Sequence, residues 1–393
     1  MKSFTFTLPT EVRFGTNEWM HVGELLLKYH AKKVMILYGS RHAKASGLLD
    51  SVAEQVGKAG MDYILFGGIE PNPKLSRVYE GIQVGKEAEV DFLLAIGGGS
   101  VIDTAKAVAA GLADETVDVW DYFSTSRRIS KALPVGSIVT MPASGSEVWD
   151  ALVITDDRTN LKRSTKSAAI RCTFSILDPS LTVSLNLRQT EIGCADIFMH
   201  TMERYFTNEF DCLLTDAVAE TLMRQILGYM TTIQNNPDDY TIREQIMWCA
   251  TLSHNGITGC GHTGDWACHT IEHEISGEFD VPHGAGLTAI WGSWARYVMP
   301  KNVERFYSFA VNVMGVPADA SCKEAVALEG INRLCRHFRS VNLPTSLGEL
   351  GIVSSPEIID LLADRAVDHE THTIGHLEEL KKSDIITILR MAV

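Results

Sequence analysis

The sequence predicts two domains, an α/β domain followed by an all-helical domain. Up to about residue 180, short apolar runs alternate with amphipathic segments, which is typical of parallel strands joined by helices. Beyond that point helical periodicity continues, and few residues alternate in the two-residue pattern of strands. We therefore assign residues 1–180 to the first domain and 181–393 to the second. A chain of 393 residues is long enough for two domains of ordinary size.

The individual elements follow from the same patterns. Phe4, Phe6 and Leu8 alternate with polar residues, which predicts an edge strand or hairpin arm at the start of the chain. Short apolar runs predict buried parallel strands at residues 33–38, 63–66, 91–96, 136–140 and 174–177, with helices at 22–29, 48–59 and 75–89. In the second domain, the periodicity predicts helices at residues 190–206, 215–234, 240–252, 267–275 and 284–298.

One strand runs directly into three glycines and a serine, and this run is a candidate phosphate site. Gly97, Gly98 and Gly99 would let the backbone approach a ligand closely, and the helix that opens at Ser100 would offer free N–H groups to an anion. The run matches neither G-x-G-x-x-G nor G-K-[ST], so a tight strand-to-helix turn is the alternative. Residues 141–147, rich in small hydroxyl side chains, follow another strand at the carboxyl edge where ligands bind. We therefore expect this α/β domain to hold a pyrophosphate.

The composition excludes several classes of function. The formal net charge of -14 argues against binding nucleic acid through the general surface, which requires a basic footprint. No apolar run is long enough to cross a membrane, and the first residues lack the apolar core of a signal peptide. Eight cysteines without a paired spacing predict reduced thiols. We therefore expect a cytoplasmic protein with neither membrane nor nucleic acid as a partner.

Histidines at helical spacing predict a metal site in the second domain. His269 and His273 are four residues apart and share one face of a predicted helix, and His283 follows in a turn rich in proline and glycine. Asp196 and His200 form a second such pair on an apolar helix, where burying them is costly unless something compensates them. Those two could pair with each other, and the other histidines could be core or surface residues. A single Fe(II) or Zn(II) ion explains both pairs, although the spacing does not separate His273 from His283 as a ligand.

Taken together, these motifs resemble the iron-containing (group III) alcohol dehydrogenases. The resemblance rests on Gly-Gly-Gly-Ser at 97–100, Pro-Ala-Ser-Gly-Ser-Glu at 142–147 and the aspartate and histidines above, and it spans nearly the whole chain. Residues 70–73 and 266–269 resemble the butanol dehydrogenase branch. The resemblance implies a dehydroquinate synthase-like fold with an NAD(P)-binding domain and a metal-binding domain. It also implies that His273 lies near the substrate as a candidate catalytic residue, while the metal ligands are Asp196, His200, His269 and His283.

The resemblance further implies which residues hold the dinucleotide. Gly97, Gly98, Gly99 and Ser100 would hold the pyrophosphate. Family positions that line the nicotinamide ribose match Thr140, Ser144 and Lys162. Asp103 lies close by, as a candidate for both cofactor binding and catalysis.

The turn after the strand at residues 34–38 bears on the choice of cofactor. Relatives that use NAD often carry an aspartate there, which can hold the ribose 2′-OH and would repel a 2′-phosphate. This chain has Gly39, Ser40 and Arg41 instead. We therefore predict NADP as the preferred cofactor, held in part by Gly39 and Ser40, with use of NAD left open. An ordinary turn with a solvated arginine is the alternative.

The expected function is that of a metal-dependent, NAD(P)-linked alcohol dehydrogenase or aldehyde reductase for small primary alcohols and aldehydes such as butanol and butyraldehyde. The nicotinamide would carry the hydride and the metal would polarise the substrate oxygen. Two alternatives remain, a glycerol dehydrogenase-like polyol oxidoreductase of the same fold and a metal- or nucleotide-binding sensor without turnover. The aspartate–histidine pair at 196 and 200 favours the alcohol dehydrogenase. We also expect a homodimer.

Overall fold

The computed structural model describes residues 1–39, 44 and 46–393, which form two compact units. The first unit comprises residues 7–185 and 238–251, and the second comprises residues 1–6, 186–237 and 252–393. These units differ from the predicted division in three respects. Residues 1–6 group with the helical unit, whereas residues 181–185 and 238–251 group with the α/β unit. The assignment of a dinucleotide-binding role to residues 1–180 and a metal-binding role to residues 181–393 stays a prediction.

A six-stranded parallel sheet forms the centre of the first unit. Its strands are β1 (Glu11–Phe14), β2 (Lys33–Gly39), β3 (Asp62–Ile69), β4 (Phe92–Gly97), β5 (Val135–Val139) and β8 (Phe174–Leu177), in the order β1-β8-β5-β4-β2-β3. Two further strands, β6 (Ala151–Asp156) and β7 (Leu161–Lys166), form a separate antiparallel pair. Because β2, β4 and β5 are parallel neighbours, the segments that follow them meet at one edge of the sheet.

The apolar strands are buried on both faces. In β4, Leu93 and Ala95 pack in one hydrophobic core, and Leu94 and Ile96 pack in the other. This alternation is the two-residue period of a strand covered by helices on both sides. Within residues 7–185, the described α-helices are α1 (Val22–Lys28), α2 (Leu48–Lys58), α3 (Leu75–Glu87), α4 (Gly99–Ala113) and α5 (Asp121–Ser124).

The predicted strand at the very start of the chain is wrong. Residues 1–9 adopt no regular secondary structure, and the first strand, β1, begins only at Glu11. The N–H of Lys2 bonds to the carbonyl of Gly261 at 3.1 Å, and its ammonium lies 2.6 Å from Glu209. Phe4 and Phe6 remain 52% and 44% exposed, so their alternation does not reflect a buried strand face.

The second unit is built from helices. They are α6 (Leu187–Tyr205), α7 (Leu213–Asn235), α9 (Ala267–Phe279), α10 (His283–Val298), α11 (Val303–Asn312), α12 (Lys323–Ser340), α13 (Pro356–Ala366) and α14 (Lys382–Met391). The helix between α7 and α9 in the chain, α8 (Tyr240–His254), belongs to the first unit up to Thr251. Within the described residues, every helix falls short of the length or the apolarity that a bilayer span requires. The predicted fold class, a parallel α/β domain followed by a helical domain, is confirmed.

Candidate functional site

Helix α6 carries two of the predicted metal ligands through the interior of the second unit. Asn186 caps the start of the helix by accepting a hydrogen bond from the N–H of Gln189 at 2.8 Å. Asp196 and His200 follow on one face of the helix, and each is only 5% exposed. A carboxylate and an imidazole buried this deeply require compensation from their surroundings.

The other two predicted ligands stand near the starts of α9 and α10. Helix α9 begins after Trp266, whose backbone lies in the left-handed region with φ 63°, so His269 is in the first helical turn. His283 is the first residue of α10. His269 is 5% exposed, whereas the side chain of His283 is 24% exposed. The starts of two helices therefore set the directions of these imidazoles.

The four predicted ligands come together in one cluster. Each offers one nitrogen or oxygen atom, and the four atoms lie within 4.8 Å of one another. Asp196 Oδ1 is 3.4 Å from Nδ1 of His200 and 3.7 Å from Nε2 of His283. The ring centroids of His200 and His269 are 4.7 Å apart, and those of His269 and His283 are 5.2 Å apart. The structure therefore brings together residues that are distant in the sequence.

The donor atoms of this cluster fit a divalent metal ion. Among the described residues, the buried atoms Nδ1 of His200 and Nε2 of His269 find no hydrogen-bond partner. Burial, reinforced by His269 and Arg204, holds the pKa of His200 well below its ordinary value, so its imidazole is neutral and keeps a lone pair. A buried polar atom without a partner is costly, and coordination would remove that cost. Three imidazoles and a carboxylate suit Fe(II) or Zn(II).

His273 lies beside the cluster and is not one of its four members. Its ring centroid is 5.6 Å from that of His283, and its side chain is half-buried. Donor atoms of His273, His283 and Glu272 form a second close group. The sequence spacing could not separate His273 from His283, and the structure places His283 with Asp196. The predicted catalytic role of His273 stays a prediction.

The glycine run of the first unit forms the junction between β4 and α4. Gly97 ends the strand, Gly98 precedes the helix without a side-chain cap, and Gly99 is the first helical residue. The first N–H groups of a helix have no acceptor within it, so this end offers donors to an anion. A Cβ on Gly97 would lie 2.4 Å from Cγ2 of Val101, and one on Gly99 would lie 2.3 Å from Oγ of Ser144. Close packing within the unit therefore requires glycine at both positions.

Three other predicted cofactor residues lie at this edge of the sheet. Thr140 directly follows β5 and donates its N–H to the carbonyl of Gly97 at 3.0 Å. Ser100 is in the first turn of α4. Gly39 ends β2, the neighbour of β4, and a Cβ added there would stay 3.5 Å from the nearest atom, the carbonyl oxygen of Ile69. The predicted cofactor residue Ser40 lies outside the described residues.

Lys162 has a partner outside the glycine run. It lies in β7, is 4% exposed and donates to Oδ1 of Asn72 at 3.0 Å. Asn72 belongs to the Glu-Pro-Asn-Pro segment at residues 70–73. A buried hydrogen bond therefore joins a predicted cofactor residue, Lys162, to the segment that resembles the butanol dehydrogenase branch.

Asp103 and Lys106 form hydrogen bonds with residues that follow Ser144 in the chain. Both oxygens of Asp103 accept hydrogen bonds, from the hydroxyl of Ser146 at 2.5 Å and from the N–H of Val153 at 2.9 Å. Desolvation raises the pKa of the Asp103 carboxyl, although the ammonium of Lys106 acts in the opposite direction. Lys106 is fully buried, and its ammonium lies within 3.1 Å of four acceptors, which are the carbonyl and hydroxyl of Ser146 and the carbonyls of Trp149 and Ala151.

Comparison with known proteins assigns the chain to a family. Residues 9–179 match the model for iron-containing alcohol dehydrogenase, and residues 190–393 match the model for the C-terminal part of the Fe-containing alcohol dehydrogenase family. The chain belongs to the iron-containing alcohol dehydrogenase family. It is 37% identical to the probable NADH-dependent butanol dehydrogenase 1 of Bacillus subtilis (strain 168), with 100% of both chains covered.

Two further relatives extend the comparison. A crystal structure of NADH-dependent butanol dehydrogenase A from Thermotoga maritima matches with a TM-score of 0.95 at 35% identity, covering 100% of this chain and 99% of that one. The NADPH-dependent aldehyde reductase YqhD of Escherichia coli (strain K12) is 30% identical, with 97% of each chain covered. These relatives confirm the predicted family, the butanol dehydrogenase-like branch and the enzyme class, NAD(P)-dependent oxidoreductases that act on CH–OH groups. The predicted cofactor class, NAD(P) with a metal, is confirmed, and the roles of individual residues stay predictions.

In this member of the iron-containing alcohol dehydrogenases, sequence reasoning missed two supporting residues. Glu203 contacts His269, and Lys106 braces the segment around Ser144. Glu203 lies seven residues after Asp196 on α6, a spacing that returns to the same helix face and could have drawn attention to it. No feature of the sequence distinguishes Lys106 from a solvated lysine on an alanine-rich helix.

Proposed function

We propose that this protein interconverts small primary alcohols and aldehydes, with butanol and butyraldehyde as representative substrates, using a bound divalent metal and NADP or NAD. The cluster of Asp196, His200, His269 and His283 carries this proposal, because its buried donors suit one ion. The names of the relatives from Bacillus subtilis and Thermotoga maritima support a butanol-sized substrate. Iron and zinc both suit the donor set.

The predicted ligands and His273 would have different roles at the metal site. The metal, when bound, supplies a Lewis acid that polarises the substrate oxygen. Asp196, His200, His269 and His283 would hold it, and the first three are each only 5% exposed, which limits the access of water. His273, half-buried beside His283, would relay the alcohol proton or position the substrate.

The dinucleotide would be held by the first unit. Gly97, Gly98, Gly99 and Ser100 would receive the pyrophosphate at the start of α4, and Thr140, Ser144 and Lys162 would line the nicotinamide ribose. Asp103 would act through the hydroxyl of Ser146, to which it is hydrogen-bonded. A direct catalytic role for Asp103 remains part of the proposal.

NADPH is the proposed preferred cofactor, with Gly39 and Ser40 near the 2′-phosphate. An open Gly39 supports this choice, because a Cβ there would meet no atom closer than 3.5 Å and no carboxylate stands at that position. Relatives named for NADH and for NADPH both occur, so the choice is specific to each chain.

We also propose that the protein is a cytoplasmic homodimer. The free state of all eight cysteines, each in the described part of the chain, supports a reducing compartment. Phe210, Leu213 and Leu214 are 51%, 76% and 77% exposed, and large exposed apolar side chains close together in sequence support a protein–protein surface. The measurement is the mass of the purified protein in solution.

The experiment for the catalytic proposal follows NADPH absorbance while the metal-loaded protein is mixed with butyraldehyde. We expect absorbance to fall only when protein, metal and aldehyde are all present, and chelation should stop the decay. Faster oxidation of glycerol with NAD than of butanol would instead indicate a polyol oxidoreductase. No decay with any of a series of aldehydes would indicate a binding protein without turnover.

A further inference from the structure

Two buried glutamates contact two of the predicted ligand histidines, each at the ring nitrogen Nδ1. Glu203 is 2% exposed and Glu272 is fully buried. Oε1 of Glu203 lies 2.9 Å from Nδ1 of His269, and Oε2 of Glu272 contacts Nδ1 of His283. The same arrangement therefore occurs twice, on two different helices.

In both histidines, these contacts indicate that the other nitrogen, Nε2, is the one that would face the cluster. Nε2 of His269 is buried without a hydrogen-bond partner among the described residues, and Nε2 of His283 is 3.7 Å from Asp196 Oδ1. A carboxylate accepts a hydrogen bond, so each Nδ1 must carry the ring proton. Each Nε2 then keeps its lone pair, which is the form a metal requires.

Glu203 holds the backbone of His269 as well as its ring. Its Oε1 accepts the N–H of His269 at 3.0 Å, and its Oε2 accepts the N–H of Trp266 at 2.7 Å. These donors are at the N-terminal end of α9, where a helix lacks internal acceptors. One side chain on α6 therefore orients both the start of α9 and the imidazole that it presents.

Glu272 is itself held in place by a neighbour. The hydroxyl of Ser276, one turn further along α9, donates to Oε1 of Glu272, which leaves Oε2 for His283. A Cβ on Gly286 would lie 2.6 Å from Oε1 of Glu272, so the carboxylate packs into the space that glycine leaves there. Its direction is therefore set by packing and hydrogen bonding together.

We propose that Glu203 and Glu272 are positioning residues of the metal site. They set the tautomers and directions of His269 and His283, and they raise the affinity for the metal without contacting it. The proposal rests on the metal site of the proposed function. Partners of this kind typically change metal affinity by about 10–100-fold when they are removed.

The test measures the Zn²⁺ dissociation constant of metal-free protein by competition with a chromophoric chelator. We expect Glu203→Gln to raise this constant roughly 10- to 100-fold. The matched control is Glu191→Gln, since Glu191 is also on α6, is 2% exposed, and bonds to Gln234 at 3.0 Å. It should bind Zn²⁺ as the wild type does. Unchanged Zn²⁺ affinity in Glu203→Gln, or an equal loss in Glu191→Gln, would overturn the proposal.

A double-mutant cycle separates positioning from a general structural effect. If Glu203 acts through His269, adding Glu203→Gln to His269→Ala should change the residual Zn²⁺ affinity little. The same fold-change in both backgrounds would show that Glu203 acts elsewhere. The absorption spectrum of Co²⁺-loaded Glu203→Gln should also differ from that of the wild type, because the ligand geometry is altered.

Two further measurements distinguish a folding defect, or a wrong metal site, from a failure of the positioning proposal. If Glu203→Gln does not fold, Glu272→Gln tests the same rule at His283, with His283→Ala as the second background of its cycle. If the wild type and His269→Ala bind Zn²⁺ equally, the metal site itself is wrong, and this result is distinguishable from a failure confined to the glutamates.

Discussion

The two candidate sites of this protein are built from different parts of the chain. The metal cluster takes one donor atom from each of four side chains, which lie on helices α6, α9 and α10. The glycine run instead offers backbone at one strand–helix junction, where neighbouring atoms fill the space that a Cβ would need. A site made of side chains is lost when atoms are removed. A site made of backbone is lost when atoms are added.

The support around the two sites differs in the same way. Around the metal cluster, Glu203 and Glu272 bond directly to the imidazole rings of two predicted ligands, His269 and His283. Near the glycine run, Asp103 and Lys106 bond to the segment that follows β5. The residues around the metal cluster therefore fix the rotamers and tautomers of side chains. The residues near the glycine run fix the conformation of the backbone.

The largest effect on activity should come from removing the imidazole of His273, which lies beside the metal cluster. We expect His273→Ala to lower kcat by about 10²–10⁴-fold, the typical cost of losing a general acid–base group. Its metal content should stay close to that of the wild type, because His273 is outside the four-residue cluster. Steady-state kinetics and elemental analysis of the same preparation measure both quantities.

His337→Ala is the matched control for that variant. His337 is a half-buried histidine on α12 whose burial lowers its pKa, and it is not part of the cluster. Its substitution should leave kcat unchanged. A fall in metal content of the His273→Ala protein would make His273 a ligand and would require the role of His283 to be reconsidered.

A smaller effect should follow from adding one methyl group to the glycine run. We expect Gly99→Ala to raise KM for NADPH by about 10- to 100-fold, or about 1.4–2.8 kcal/mol, because the added Cβ would displace the backbone that receives the pyrophosphate. The added Cβ would press on Oγ of Ser144. Zn²⁺ affinity should be unchanged, because none of the four predicted metal ligands belongs to this unit.

Gly228→Ala provides the control for an added methyl group. Gly228 lies within α7, and a Cβ there would meet no atom within 4 Å. Alanine is also the better helix former, so the variant should be at least as stable as the wild type. If Gly99→Ala binds NADPH as well as Gly228→Ala does, the glycine run is a structural turn and the pyrophosphate lies elsewhere.

The smallest effect concerns the choice between the two dinucleotides. We expect the wild type to have a higher kcat/KM with NADPH than with NADH. Gly39→Asp should shift that ratio toward NADH by roughly tenfold, about 1.4 kcal/mol, because a carboxylate repels the 2′-phosphate. Gly39→Asn has nearly the same shape without the charge and should shift the ratio less. A wild type that clearly prefers NADH would refute the interpretation of Gly39.

The features that could be predicted from sequence are those with a period or a fixed spacing. The four predicted ligands, which the structure groups in one cluster, came from pairs four residues apart together with the family resemblance, and the parallel strands came from apolar runs. Burial makes both patterns visible, because a strand covered on two faces must be apolar and a buried Asp196 or His200 is conspicuous among apolar neighbours.

The features that could not be predicted depend on contacts between distant residues. The role of Glu203 can be recognised only from its contacts with the start of α9. The role of Lys106 can be recognised only from the contacts of its ammonium with the segment after β5. The strand predicted at residues 4–8 failed for a related reason. Alternation predicts a strand only where one face is covered, and Phe4 and Phe6 remain exposed.

We propose that side chains of the helical unit hold a metal ion, and metal analysis of His269→Ala is the decisive test. The wild type should contain about one divalent ion per chain, as expected for a site filled by three imidazoles and one carboxylate. His269→Ala should contain much less metal and should lose activity, while His337→Ala, prepared in parallel, should match the wild type. Equal metal content in His269→Ala and the wild type would contradict the account.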